Sequence, residues 1–399
     1  MASEGQNMPF YTDVVDKVAA VCAERYDAIP TNSGQQSQTK YDDVYQILGE
    51  IDQRLSGAAN PSALETLIRA YKNRLKLDQV MTAMDLATES PLLEILDCAD
   101  DRLVQCLTRV VCESGCIERL DGEQAQLFID FAYEVLRTRG SPTLHNVSPR
   151  VFNKSFDFTE TNGFVLRRSI SRLSERTRKM PSGLVIEGVI LSDNFPWYSG
   201  AFGDVFVGEL DGKKVAIKRM RVHQQQTPEE RDYINKNLCR EVLMWSLLNH
   251  PNVLPFHGVS NLFPQIGVPG IVSPFLSHGN VAIYLKEQGR SYALIWKLLT
   301  EIVAGLQYLH DNNIVHGDLR PPNILIDDDG KIKLSDFGLA NFADSSLQST
   351  SYPGAGAQSP ELYFYESFGL ADYRPSKEAD VFAIGTVCWE VCRFNHSQP

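Results

Sequence analysis

The sequence predicts an α+β protein in which an all-α helical bundle precedes a strand-rich part that is itself followed by helices. Apolar residues recur at helical spacing as far as residue 137. From Leu184 the pattern alternates as in strands, with Asp211-Gly212 as a turn signal between two of them. Helical spacing then returns around two loops rich in polar side chains. We therefore expect a helical bundle at 1–140, a linker at 141–183 and a mixed domain at 184–399.

Composition narrows the class of function. The formal charge of −12 argues against nucleic acid or anionic membrane as the main partner. The first residues lack the basic and apolar segments of a secretory signal, and no apolar run approaches the roughly 20 residues that span a bilayer. The eight cysteines show no complete metal-ligand spacing, which is typical of thiols in a reducing compartment. We expect a cytoplasmic protein, with the nucleus left open.

The first 140 residues are expected to form a helical bundle. Thr12 can cap one helix, and apolar residues repeat over 44–55. Asn60-Pro61 and Ser90-Pro91 are cap-and-proline signals that open two more, and 121–136 gives another. The residues predicted to face inward include Leu64, Leu67, Ile68, Tyr71, Leu75, Leu103, Leu107, Val110, Leu127, Phe128, Phe131 and Val135. No chemical constellation occurs here, so an adaptor that binds a protein partner and a plain scaffold both remain open.

A basic amphipathic helix is predicted inside the linker. Residues 141–163 lack periodicity, and 164–179 then carry an apolar stripe of Leu166, Ile170 and Leu173 among six basic residues. The helix could dock on an acidic surface or anionic lipid. We favour the alternative that it packs its stripe on the adjacent domain and leaves its charges in solvent. Its serines, at 169, 171 and 174, are candidate phosphorylation sites.

Two loops near the C-terminal end carry the densest set of polar side chains. They read HGDLRPPN (316–323) and DFG (336–338). The hairpin signal DDDG lies between them, so a returning strand should bring Asp336 beside Asp318 and Asn323. Two carboxylates and an amide then offer oxygen ligands to a hard cation such as Mg²⁺, with one carboxylate left to orient a hydroxyl.

These motifs resemble the catalytic loop and the metal-binding loop of eukaryotic-type protein kinases. The resemblance implies that Asp318 orients the substrate hydroxyl and accepts its proton, and that Arg320 stabilises the γ-phosphate. Asn323 and Asp336 would bind Mg²⁺. Gly317 stands where many kinases have an arginine that binds a phosphorylated activation loop, so a different mode of activation is expected.

An upstream stretch resembles the glycine-rich loop that covers the ATP phosphates in this family. It reads YSGAFGDVFV (198–207), with Gly200 and Gly203 present and Tyr198 where a first glycine is usual. Glycine lets backbone N–H groups approach phosphates closely because it has no Cβ.

The motif VAIK (215–218) resembles the kinase strand whose lysine contacts the α- and β-phosphates. The resemblance implies that Lys218 has this role and that Val205 and Ala216 cover the adenine. Glu241, on the next predicted helix, would be the counter-charge that fixes Lys218.

The apolar stretch IVSPFL (271–276) resembles the hinge between the two kinase lobes. It divides the domain into an N-lobe at 184–272, a hinge at 273–279 and a C-lobe at 280–399. Ser273 would be the gatekeeper, hinge backbone up to Leu276 would hydrogen-bond adenine, and Leu325 would lie beneath it.

Two further contacts follow from the resemblance. Trp245, one turn after Glu241, should pack toward Phe337. Asp380 should hold the catalytic loop from below, on a final helix over 380–392 that is apolar nearly all round and so predicted to be buried on every side. Family members have more helices beyond this point, so we expect a truncated or mis-spliced kinase, or a chain that ends naturally here, and an aggregation-prone product.

The resemblance covers 184–399 and is nearest to the tyrosine-kinase-like serine/threonine group. One hypothesis is an ATP-dependent protein kinase in intracellular signalling, acting on Ser/Thr hydroxyls with Tyr left open. The alternative is a catalytically impaired kinase-like binding module, which Tyr198 and Gly317 favour. A nucleotidase of the phosphate-loop class is excluded because no Gly-x4-Gly-Lys-Ser/Thr occurs.

Overall fold

The computed structural model describes residues 63–83, 100–101, 103–111, 116–138, 160–200, 203–221, 227–263, 268–337, 341–342, 359–369 and 375–393. The predictions for Thr12, for 44–55, for Ser90-Pro91 and for most of 141–163 lie outside these residues. The chain divides into two compact units. They are Met1–Arg139 with Pro149–Ser169, and Gly140–Ser148 with Ile170–Pro399.

The described part of the first unit is helical, as predicted. Helix α1 is Ala63–Ala83, residues 103–111 are helical, and helix α2 is Gly122–Thr138. The predicted inward faces are buried, and the rings of Tyr71 and Phe131 lie 4.8 Å apart. Leu75 and Leu127 are only half-buried, because each lies at the margin of its stripe.

Helix α3, Glu160–Thr177, belongs to the first unit up to Ser169 and to the second from Ile170. Its predicted stripe of Leu166, Ile170 and Leu173 is fully buried. Several polar side chains are buried as well, namely Ser171, Ser174 and Glu175. The prediction that this helix leaves its charges in solvent is therefore wrong at Glu175. A modifying enzyme cannot reach Ser171 or Ser174 in this conformation.

The second unit begins with a six-stranded antiparallel sheet. Its strands are β1 Ile190–Leu191, β2 Tyr198–Ser199, β3 Gly203–Leu210, β4 Lys213–Met220, β5 Gly258–Ser260 and β6 Gly270–Pro274. The order is β1-β3-β4-β6-β5, with β2 also on β3. The predicted turn joins β3 and β4, with φ of 49° at Asp211 and 74° at Gly212, as a tight hairpin requires. A core that includes Phe206, Ile217 and Val272 lies against this sheet.

Helix α4, Pro228–Ser246, crosses from the sheet to the helical lobe. It begins with a capping box in which Thr227 and Glu230 exchange side-chain and backbone hydrogen bonds. The later helices are α5 Val281–Gln288, α6 Tyr292–Asp311, α7 Pro360–Tyr363 and α8 Lys377–Arg393. Two small antiparallel pairs lie among them, β7 Ile314–Val315 with β10 Asn341–Phe342, and β8 Ile324–Ile326 with β9 Ile332–Leu334. A strand-rich lobe followed by a helical lobe confirms the predicted two-lobed α+β fold.

Helix α8 differs from its prediction. Val387 and Val391 are buried, but Val381, Phe382 and Trp389 are exposed. The expectation of burial on every side is therefore wrong for this helix, because apolar periodicity cannot tell what covers each face. None of the described helices has the combination of length and apolar character that crossing a bilayer requires.

Candidate active site

Lys218 lies between two carboxylates. Its Nζ is 2.7 Å from Glu241 Oε1 on α4 and 2.6 Å from Asp336 Oδ1. The pair with Glu241 is the one expected from the sequence, whereas the direct contact with Asp336 was not predicted. Burial alone would lower the pKa of Lys218, but the adjacent carboxylates of Asp336 and Glu241 outweigh it and raise that pKa. The lysine is therefore held as a cation. Burial raises the pKa of Glu241, and Lys218 opposes that rise.

The position of α4 is fixed by an aromatic contact on the same side as Glu241. The rings of Trp245 and Phe337 have centroids 5.6 Å apart, which confirms the predicted packing. Trp245 Nε1 also donates to the carbonyl oxygen of Leu254 at 2.6 Å. Because Phe337 directly follows Asp336, the aromatic pair ties the helix that carries Glu241 to the loop that carries Asp336.

The predicted hairpin delivers Asp336 to the catalytic loop. Ser335, just after β9, donates its N–H (2.9 Å) and its Oγ–H (3.0 Å) to the carbonyl oxygen of Asn323, just before β8. Asp336 has φ of 65°, a left-handed conformation that aspartate tolerates better than most side chains. The loop carrying Asp336 thus lies against the loop carrying Asn323.

Asp318 and Asn323 form a pair on the catalytic loop. Asn323 Nδ2 donates to the carbonyl oxygen of Asp318 at 2.8 Å and to its Oδ2 at 2.9 Å. This orientation leaves the amide oxygen of Asn323 for a cation. Burial raises the pKa of Asp318 and the charge of Asp336 adds to the rise, whereas the positive charge of Arg320 opposes it. The two loops therefore bring their predicted site residues close enough to interact. These are Asp318, Arg320, Asn323 and Asp336.

Asp380 on α8 holds the catalytic loop in place, as predicted. Its Oδ2 accepts from the N–H of His316 at 2.8 Å, and its Oδ1 accepts from the N–H of Gly317 at 2.9 Å. His310 Nε2, at the end of α6, lies 2.9 Å from the same carboxylate. Gly317 has φ of 79°, which glycine adopts without strain.

His316 connects the two loops. Its Nδ1 accepts from the N–H of Asp318 at 3.3 Å, so the ring must donate from Nε2, which lies 3.1 Å from the carbonyl oxygen of Ser335. The side chain is fully buried, and its ring packs against that of Phe337 in a tilted arrangement with centroids 5.5 Å apart. Its role in this structure is to keep the spacing between Asp318 and Asp336.

The two glycines of the upstream loop, Gly200 and Gly203, have different structural roles. The N–H of Gly200 donates to the carbonyl oxygen of Gly203 at 2.9 Å, which continues the pairing of β2 with β3. A Cβ on Gly203 would lie 2.4 Å from the carbonyl oxygen of Arg219 on β4. Gly203 is thus required by close strand packing, whatever its relation to a phosphate.

The residues predicted to surround adenine lie on neighbouring strands. Val205 pairs with Lys218 and Ala216 pairs with Ser273 in the sheet register, and Ser273 is buried. Leu276 follows β6, and the chain after it returns to β8, where Ile326 donates its N–H to Gly279 at 2.9 Å. Leu325, in β8, bridges to Asn280, which places it near the end of the hinge.

Sequence reasoning missed Trp197. Its indole ring makes an edge contact with Phe275 of the hinge, with centroids 5.8 Å apart, although most of the ring is exposed. The segment before β2 therefore lies against the hinge at the edge of the predicted adenine site. The only signal in the sequence is its place directly before Tyr198, and no periodicity marks it.

A lysine between two carboxylates, beside an aspartate–asparagine pair on the loop that follows helix α6, is the arrangement of a phosphoryl-transfer site in the protein kinase fold. The family described as "Protein tyrosine and serine/threonine kinase" matches residues 198–399, about half of the chain. The chain belongs to this protein kinase family.

Several characterised kinases are similar to this chain. Serine/threonine-protein kinase STY46 of Arabidopsis thaliana is 32% identical over 197 residues, covering 48% of this chain and 32% of its own length. Serine/threonine-protein kinase STY17 of the same plant is 25% identical over 350 residues, covering 82% and 58%. Tyrosine-protein kinase Abl of Drosophila melanogaster is 30% identical over 205 residues, covering 50% and 12%. The chain thus spans less than two thirds of each relative.

Proposed function

We propose that the chain transfers the γ-phosphate of ATP to a Ser/Thr hydroxyl of a protein substrate, in intracellular signalling. The observation that carries this proposal is the position of Lys218 between Glu241 and Asp336, 2.7 Å and 2.6 Å away. A cation fixed in this way is oriented to bind phosphate oxygens, and phosphoryl transfer depends mainly on positioning and on neutralising charge. The proposal extends to a cytoplasmic or nuclear location and to a protein-binding role for the helical unit.

Each residue of the site has a separate task in this reaction. Lys218 holds the α- and β-phosphates, and Arg320 approaches the γ-phosphate as a second cation. Asp318 orients the substrate hydroxyl and takes its proton as the hydroxyl oxygen bonds to the γ-phosphorus. The bond between that phosphorus and the β–γ bridging oxygen breaks, and ADP leaves. A carboxylate with a raised pKa is a better proton acceptor than an exposed aspartate, which fits this task.

Magnesium fits the donor set. Asp336 supplies carboxylate oxygens, and the amide of Asn323 is turned so that its oxygen is the atom left for a cation. When bound, the ion would neutralise charge on the triphosphate. Lys218 already contacts Asp336 Oδ1, so this carboxylate would have to serve both the lysine and the ion.

Serine and threonine are the favoured acceptors because two of the three relatives named above are described as serine/threonine kinases. The similarity to a tyrosine kinase keeps tyrosine as an outcome of the test. Phosphoamino-acid analysis of the product distinguishes the two directly.

The deciding experiment is transfer of labelled γ-phosphate from Mg·ATP to a general protein substrate by the full chain and by Asp318→Asn. We expect the substitution to lower kcat by about 10²–10⁴-fold, the usual contribution of a general base. Asp311→Asn is the matched control, because Asp311 lies exposed on α6 and its carboxylate accepts a hydrogen bond from Gln307 of the same helix at 2.6 Å. Equal transfer by wild type and Asp318→Asn would contradict the proposal. Mg·ATP binding without any transfer would instead favour a kinase-like binding module.

A further inference from the structure

The end of α3 packs against α4 within the second unit. Arg178, the residue after α3, donates from Nε to Asp232 Oδ1 at 2.7 Å and from Nη2 to Asp232 Oδ2. Such a two-point contact between guanidinium and carboxylate fixes direction as well as distance. Arg178 reaches Asp232 from a left-handed backbone conformation, with φ of 58°, which an arginine rarely adopts.

A deeper layer of contacts lies beneath this ion pair. Glu175 is buried and its Oε2 lies 3.9 Å from Lys236 Nζ on α4. Ser174 is also buried, donates its hydroxyl hydrogen to the carbonyl oxygen of Lys179, and interacts with the buried Cys239 of α4. The turn after α3 is thus held from inside as well as from the surface.

The residues of α4 that meet α3 form one stripe, and Glu241 lies opposite to it. Asp232, Lys236 and Cys239 are spaced by four and three residues, which places them on one helical face. At about 100° per residue, Glu241 is turned roughly 140–200° from these three positions. Helix α4 therefore contacts α3 on one side and presents Glu241 to Lys218 on the other.

We propose that Arg178 and Glu175 are positioning residues that hold α4 in place, so that Glu241 reaches Lys218. This inference rests on the proposed function for its activity readout. The carboxylate of Glu241 is buried, and its Oε1 accepts a hydrogen bond from Lys218 Nζ at 2.7 Å. Burial of a charge is costly, so contacts on the opposite face of α4 would add to the Trp245–Phe337 contact in keeping Glu241 beside Lys218. A displacement of about 1 Å at such a site can lower the rate by about 10²-fold.

The experiment is a charge swap in the full chain. Asp232→Arg and Arg178→Asp should each lower kcat by about fivefold, while KM for the protein substrate stays unchanged. The double variant Arg178→Asp/Asp232→Arg should restore kcat to within about twofold, because the ion pair is rebuilt in reverse. Lys72→Glu is the control, since it breaks an exposed ion pair with Glu123 on the first unit. It should leave kcat unchanged.

Hydrogen exchange of α4 gives a readout that does not need activity. Faster exchange of the α4 amides in Asp232→Arg, reversed in the double variant, is expected. Unchanged exchange, or unchanged kcat in both single variants, would overturn the inference. So would a loss of kcat that the double variant does not recover. If wild type transfers no phosphate while exchange responds as expected, the proposed function fails and the positioning contact stands.

Discussion

Each unit of the molecule buries a cation against carboxylates, and the two cases differ in one respect. In the helical unit, Arg74 donates from Nε to Asp100 Oδ1 at 2.8 Å, and both side chains are 1% exposed. In the second unit, Lys218 is 18% exposed and its partner Asp336 is 29% exposed, although their contact is also short, at 2.6 Å. The Arg74–Asp100 pair is closed to solvent, whereas the Lys218–Asp336 pair is partly open to solvent.

The exposure of an ion pair therefore separates a structural pair from a functional one better than its distance does. A closed pair has its charges satisfied by each other and leaves nothing for a ligand, so it contributes to the fold alone. An open pair keeps one side available for a phosphate or a cation. The helical unit therefore contains buried charge without a reactive site among its described residues.

The largest expected effect comes from Lys218→Met. The site loses the cation that we propose holds the phosphates. We expect kcat/KM to fall by about 10²–10³-fold, as when other preorganised charges are removed. Glu241 can take up a proton, since burial already raises its pKa, so the fold should tolerate the change. Steady-state kinetics with thermal unfolding checks this. An unfolded variant would contradict the view that this pair serves chemistry more than stability.

Arg74→Met makes the same exchange in the closed pair. Asp100 stays buried but loses its ion pair with Arg74, and we expect the free energy of unfolding to drop by about 3–5 kcal/mol. The kcat of the protein that remains folded should not change. Denaturant titration and kinetics below the unfolding transition measure the two quantities separately. A loss of kcat with unchanged stability would remove the distinction between the two pairs.

The pH dependence of kcat/KM is expected to have the smallest effect at neutral pH. It tests the role of Asp318 most directly. Asp318 must be deprotonated to accept a proton, and burial raises its pKa from the ordinary 3.8. Activity should therefore fall as pH decreases, with a midpoint above 3.8. Because the positive charge of Arg320 lowers this pKa, Arg320→Gln should move the midpoint to higher pH. A midpoint that does not move would show that another group controls the acid limb.

The sequence was sufficient for features that motif order determines. The resemblance to protein kinases, whose motifs follow one another in a fixed order, implied the Lys218–Glu241 pair and the Asp380 contact. The DDDG turn signal predicted the hairpin before Asp336. The two-lobed fold follows from the same order, since strands, a helix, a hinge and helices succeed each other.

Three other contacts between elements distant in the sequence were not predicted. Lys218 and Asp336 are 118 positions apart, Arg178 and Asp232 are 54 apart, and Arg74 and Asp100 are 26 apart. No periodicity links such positions, because each contact depends on how whole elements are placed. The exposed face of α8 was missed for the same reason: an apolar pattern says which side chains avoid water, but not what covers them.

The hydrogen bonds of Asp380 link the catalytic loop to the stability of α8. The carboxylate accepts hydrogen bonds from the N–H groups of two consecutive residues, His316 and Gly317, so the position of the loop depends on α8. Opening of the C-terminal helix and loss of order in the loop are then one local unfolding event with a single free energy. Whatever stabilises α8 also lengthens the time for which the loop keeps its reactive geometry.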